Sequence, residues 1–210
     1  MTVSADLDAQ VRAADPDRWL SSRFVADKAA RADLIALYAF EAELMVIPTR
    51  VTQPMLAEMR FTWWAEQMDG VFAGEPRKGH PVLEALSAAV IRHGLERAPF
   101  DALIEAHVGR VHGEPHDLDA FYVGPMQAAV RILAGSGHQD SVTDAARVRG
   151  LAQTGRTEEA EMRRRAANVG LRSLPVAGFP AVAPAALLRA EAPEPVKRMR
   201  LVWASLTGRI

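Results

Sequence analysis

A chain of 210 residues, 49% of them hydrophobic, has enough apolar surface for a self-supporting core, which excludes disorder as its main state. The absence of cysteine removes disulfides, thiolate zinc sites and cysteine nucleophiles. A net charge of −1 gives no general electrostatic reason to bind nucleic acid.

The chain reads as helical almost throughout. Ala5 to Ala14 is a short amphipathic opener. Asp15-Pro16-Asp17 interrupts it and can restart a helix, because proline fits the first helical turn. From Asp27 to Ile47, Leu34, Leu37, Tyr38, Glu41, Leu44 and Met45 recur at steps of three and four, which predicts one helix face, with Pro48 as its stop. Pro54 opens the next helix, which runs to about Phe72, and Gly74, Pro76 and Gly79 make a loop. His80-Pro81 begins a helix that closes near His93-Gly94, and another spans Pro99 to Val111. Gly113 to His116 is a break. Asp117 to Leu133 is helical with a bend near Gly124-Pro125.

Further on, Ser141 to Gln153 and Thr157 to Asn168 are predicted helices, the second with Glu159/Arg163 and Glu161/Arg165 pairs four residues apart. Helices at Pro184–Arg189 and Pro195–Leu206 close the chain, with Gly208 as the final stop. No strand-like alternation and no internal repeat is present. The first residues are acidic and lack an apolar core, which argues against a leader peptide. No stretch reaches the roughly 18–20 apolar residues of a membrane span, so the expectation is a cytoplasmic protein, with peripheral contact to an inner membrane left open.

The charge is uneven. Residues 1–105 hold 11 basic and 16 acidic side chains, and residues 106–210 hold 14 and 10. The basic half suits an acidic partner or an anionic membrane, or simply a solvated surface.

P-loop, dinucleotide, nucleophile-elbow and zincin motifs are absent. His112 and His116 have ligand spacing, but Gly113 and Pro115 between them favour a solvated loop. Asp15/Asp17 and Asp117/Asp119 flank turns and read as caps, and Asp140/Asp144 opens a helix where acids suit the dipole. No catalytic residue, metal ligand or cofactor follows from these. Glu41, Glu43, Arg50, Glu58 and Arg60 lie on or between the two strongest helices, beside Tyr38, Phe40, Trp63 and Trp64. A charge on such an apolar helix needs a partner. Glu41 or Glu43 with Arg60 is the natural pair, either as an interhelix strut or as the polar lining of a central cavity.

Several segments resemble one family. Arg31-Ala32-Asp33-Leu34-Ile35-Ala36-Leu37-Tyr38-Ala39-Phe40 resembles the first core helix of the squalene/phytoene synthases. Met59-Arg60-Phe61-Thr62-Trp63-Trp64 resembles their Arg-x-x-Trp-Trp helix. His80-Pro81-Val82-Leu83-Glu84-Ala85-Leu86, Leu103-Ile104-Glu105-Ala106 and Arg200 to Arg209 also fit. The match is clear over about residues 17–110 and weak over 111–210.

The resemblance implies an all-α bundle of the isoprenoid-synthase type over residues 1–210, shortened in its second half, with a central cavity near Tyr38, Phe40, Glu41, Glu43, Arg60, Trp63 and Trp64. Active members join two prenyl diphosphates with Mg²⁺ held by two Asp-rich motifs. In the register of the first motif this chain has Met45, Val46 and Thr49, and after Gly150-Leu151-Ala152-Gln153 the second Asp pair is also missing.

Phe40-Glu41-Ala42-Glu43-Leu44, with Pro54 to Arg60, is similar instead to the branch that contains the phytoene-synthase-related assembly factor of respiratory complex I. The resemblance therefore implies a non-catalytic protein whose partner is a respiratory-complex subunit or assembly intermediate. Two alternatives stay open. One is an active Mg²⁺-dependent prenyl transferase with ligands from Glu41, Glu43, Asp140 or Asp144. The other is a carrier of an isoprenoid or lipid in an apolar cavity. Nucleic acid is not an expected partner.

Overall fold

The structure, a computed structural model, describes residues 3–187 and 192–210. All regular elements among them are helical, as expected. They are α1 (Val3–Ala14), α2 (Pro16–Ser22), α3 (Lys28–Arg50), α4 (Pro54–Ala73), α5 (Pro81–His93), α6 (Ala98–Val111), α7 (Gly124–Ala134), α8 (Thr143–Gln153), α9 (Thr157–Gly170), α10 (Phe179–Val182) and α11 (Glu194–Thr207). A π-helical turn, Asp119–Val123, leads directly into α7 at Gly124-Pro125, the position of the expected bend.

Helix α3 is the axis of the bundle. Asp27 caps it by accepting from the Ala29 and Ala30 amides at 2.7 and 3.2 Å. The periodicity predicted one buried face, but every residue from Asp33 to Ala42 is buried. A helix hydrophobic all round belongs at the centre, and α1, α4, α5, α6 and α7 surround this one. Pro48 does not end it. The helix runs on to Arg50, because a proline in the final turns removes a single amide bond at an end that faces solvent. On α4, Ala57, Phe61, Trp64, Met68 and Val71 form the buried stripe, which seats Phe40 between Trp64 and Phe100 at ring-centroid distances of 5.5 and 5.6 Å.

Helix α2 is short, and distant parts of the chain hold it. Ser21 Oγ donates to the Pro180 carbonyl at 2.6 Å, and Lys197 Nζ pairs with Asp17 at 2.8 Å. The expected ladder on α9 forms differently. Glu159 pairs with Arg156 and Glu161 with Arg164, each three residues away, while Arg163 reaches Asp144 on α8. The neighbouring helix thus takes the arginine that local spacing assigned to Glu159. The helix predicted at Pro184–Arg189 runs partly outside the described residues, and Ala183–Ala186 is a 3₁₀ turn. No described helix is long and apolar enough to cross a membrane.

Candidate functional site

Helices α2, α3, α6, α7, α8 and α10, with the π turn, enclose a cavity of about 240 Å³. Its apolar wall comes from Leu103, Phe121, Pro125 and Met126, and Met45 stands beside it, half exposed. The polar wall is built from residues far apart in sequence. Asp15 caps α2 by accepting from the Arg18 amide at 2.9 Å. That cap leaves its carboxylate facing Arg18 Nε at 2.8 Å and Arg149 Nη2 at 2.7 Å. Arg18 also donates from Nη1 to Glu41 Oε2 at 2.7 Å, and its guanidinium lies 4.4 Å from the centre of the Tyr38 ring. The result is a chain of alternating charges, Glu41–Arg18–Asp15–Arg149, closed at zero net charge.

Burial and pairing pull these groups in opposite directions. Burial pushes the Asp15 carboxyl up, but Arg149 and Arg18 outweigh it and hold it well below the usual carboxylate range. At Glu41 burial outweighs Arg18, so this carboxyl sits above its ordinary value. Tyr38 is raised, chiefly by burial, and stays a neutral phenol.

Two imidazoles also line the cavity. His107 stacks on Phe61 with centroids 5.3 Å apart and meets the edge of Phe121 at 4.8 Å, and His116 stacks on the same Phe121 at 4.3 Å. Burial, with His116 nearby, pushes His107 down to about 4. Burial and Arg110 lower His116, against the pull of Asp117. Two side-chain atoms of this wall, Glu41 Oε1 and His116 Nε2, are buried with no hydrogen-bond partner among the described residues.

Gly150 sets the position of the π turn. A Cβ there would come within 2.6 Å of Tyr122 Cδ2 and 2.9 Å of Leu118 Cδ2, so α8 packs against the turn only because the position is glycine. Gly150→Ala is expected to cost about 1–3 kcal/mol by overpacking and to displace Tyr122 from the cavity wall. Chemical denaturation measures the first effect, and unchanged stability would mean that the contact relaxes freely.

Of the residues expected at the site, Tyr38 and Glu41 line the cavity. Phe40, Trp63 and Trp64 belong to an aromatic cluster with Phe100 and His80. Glu43 accepts from Gln10 at 2.6 Å. The expected pairing of Glu41 or Glu43 with Arg60 does not form. The buried stripe of α4 leaves Arg60 exposed, and Arg18 takes Glu41 instead. Asp15, read as a cap, is both a cap and an ion-pair partner. His116, read as part of a solvated loop, faces the cavity, whereas His112 pairs outward with Glu58 at 3.2 Å. Arg18, His107, Phe121, Tyr122 and Arg149 complete the wall without any local signature to announce them.

Mg²⁺ requires several carboxylate or other hard oxygen ligands in near-octahedral order. Neither motif region offers them. Met45 brings a thioether and Val46 no donor, and Thr49 donates its hydroxyl to the Val46 carbonyl at 2.7 Å. In the second region Glu159 and Glu161 are paired with arginines at the surface. The acids of the cavity wall, Asp15 and Glu41, are held by Arg18 and Arg149. Among the described residues no three His, Asp or Glu side chains converge as a metal site. These residues do not fit the metal that active relatives use.

An all-helical bundle wrapped round one buried helix, with a cavity at its centre, defines a protein of the isoprenoid-synthase type. The sequence model of that class described as squalene/phytoene synthase matches residues 11–122, and the chain belongs to this family. No curated protein matches the chain. The matched segment includes Asp15, Arg18, Tyr38, Glu41, His107 and His116, while Arg149 and Met126 come from beyond it.

Proposed function

We propose that this family member is non-catalytic and works by binding, as an assembly factor whose client is respiratory complex I. One observation carries the first half of this reading: the interior carboxylates are spent on arginines, and Met45, Val46 and Thr49 stand where active relatives hold metal. Ionising a prenyl diphosphate requires its charge to be neutralised by metal and cations as the bond breaks. Here both cavity arginines already serve Asp15 and Glu41. The cavity size points the same way. At about 240 Å³ it falls below the roughly 300–1,000 Å³ typical of a pocket for even one drug-sized ligand, and the family reaction needs two prenyl chains. The client is suggested by the similarity of Phe40-Glu41-Ala42-Glu43-Leu44 to the assembly-factor branch.

A second reading, a carrier of one small amphiphile, is favoured by the unpartnered Glu41 Oε1 and His116 Nε2, because a buried polar atom left unpaired costs about 1–3 kcal/mol. The deciding experiment incubates the folded chain with farnesyl and geranylgeranyl diphosphate, with Mg²⁺ or Mn²⁺, and follows diphosphate release. No release is expected, and metal-dependent turnover would overturn the non-catalytic reading. Deleting the gene in its source should deplete assembled complex I on native gels. Normal complex I levels would remove the client, and an isoprenoid or lipid extracted from the purified chain would favour the carrier.

A further inference from the structure

Helix α11 has two apolar faces, of which the bundle uses one. Leu201 and Ala204 are buried against Leu20, Ala183 and Leu187, and Lys197 ties the same side to Asp17. Gly208, at φ 66°, ends the helix by donating to the Ala204 carbonyl at 2.9 Å. The other face carries Met199, Val202, Trp203 and Leu206, at 65%, 40%, 68% and 78% exposure. At about 100° per residue this stripe is centred about opposite the buried pair, with Arg198 on one flank and Arg200 on the other.

The groove beside it, between α9 and α11, is lined by Arg164, Arg200 and Arg209 against one acidic side chain, Glu161, with Met199 and Trp203 at its wall. From residue 157 onward the sequence holds 9 basic and 5 acidic side chains, an excess of four that equals the whole positive excess of residues 106–210.

We propose that the outer face of α11 docks on an anionic lipid bilayer, with Trp203 and Leu206 inserted at the headgroup boundary and the arginines on the anionic headgroups. An interfacial helix needs an apolar stripe bordered by cations, with tryptophan favoured at the boundary, and α11 presents that pattern on the side facing away from the bundle. The charge selects this occupant over a second copy of the chain, which would set arginines against arginines. The inference does not depend on the reading of the cavity.

The test uses the full chain with phosphatidylcholine vesicles and with vesicles doped with phosphatidylserine. Sedimentation with the doped vesicles is expected, weakening as salt rises. The double variant Trp203→Ser/Leu206→Ser should lower the partition coefficient at least about tenfold, and Arg200→Gln about fivefold. Trp203→Phe should keep binding but lose the fluorescence quenching caused by brominated lipid. Trp203 and Leu206 are exposed and Arg200 is half-buried at the groove, so the variants should fold. Absence of binding, equal binding to both vesicle types, or binding indifferent to the double variant would overturn the proposal. So would a concentration-dependent dimer abolished by the double variant, or tighter Trp203-dependent retention on polyglutamate than on vesicles, which would assign the face to a second copy or to an acidic protein.

Discussion

Replacing Arg18 by alanine is expected to remove about 3–5 kcal/mol of stability, the usual consequence of breaking a buried ion pair from one side. Arg18 is the only guanidinium that bridges Glu41 and Asp15 among the described residues. Without it, Glu41 keeps one oxygen with no partner and loses the partner of the other. Asp15 would retain Arg149, so the loss falls mainly on Glu41. Lysine should rescue little, because one ammonium cannot span both carboxylates as the planar fork does.

A control separates the pair from the packing. Arg18→Met combined with Glu41→Leu should recover most of the loss, since well-packed apolar replacements of a buried pair are often neutral. Urea denaturation of the three variants reads this directly. An Arg18→Ala protein as stable as the parent would refute the pairing.

The second large effect is a dependence on pH that His107 imposes. Its imidazole is held neutral down to about 4, against an ordinary value of 6.5. Below 6.5 the unfolded chain therefore takes up a proton that the folded chain refuses. Stability is full above 6.5 and falls as the pH drops towards 4, by about 3 kcal/mol from this group. His116, also lowered, acts in the same direction. Glu41, raised, acts in the opposite one, because the folded state binds its proton first. The Asp15 contribution is lost only in stronger acid.

His107→Phe should flatten the decline. The ring would keep its stack on Phe61 and its edge contact with Phe121, the adjoining cavity accommodates the extra volume, and nothing at the position would titrate. Denaturation curves at neutral pH and near pH 4.5 test it. An equally steep decline in the variant would locate the effect elsewhere.

Local patterns and distant pairings differ in how they can be read. The spacing of Leu34, Leu37, Tyr38 and Glu41 marks α3 in the sequence, and glycine and proline mark the ends of α4 and α5. Glu41 is recognisable as a charge in need of a partner, because an acid on so apolar a helix is costly alone. Its partner is not recognisable. Arg18 is 23 residues away on a helix that begins with an Asp15 cap and Pro16, and Arg149 meets Asp15 across 134 residues. His116 sits among Gly113, Glu114 and Pro115, which reads as loop, and it is loop. Its inward place shows only in the packing against Phe121 and Tyr122, which no local pattern announces. Pro48 misleads in the other direction, since the same residue that ends most helices is tolerated in the last turns of α3.

The links that hold α2 bear on how the chain reaches this state. Its contacts to Arg149, Pro180 and Lys197 close loops of 134, 159 and 180 residues. Helical bundles normally fold fast because their contacts are local, and each long closure must meet its entropy before any contact offsets it. As the chain leaves the ribosome, Asp15 and Glu41 exist long before Arg149 does, so the charged wall of the cavity is completed late. Until then α2 has few partners beyond α1 and α3. A nascent chain that lacks α8 and α10 therefore leaves α2 the more open to chaperones and proteases, and their arrival fastens it.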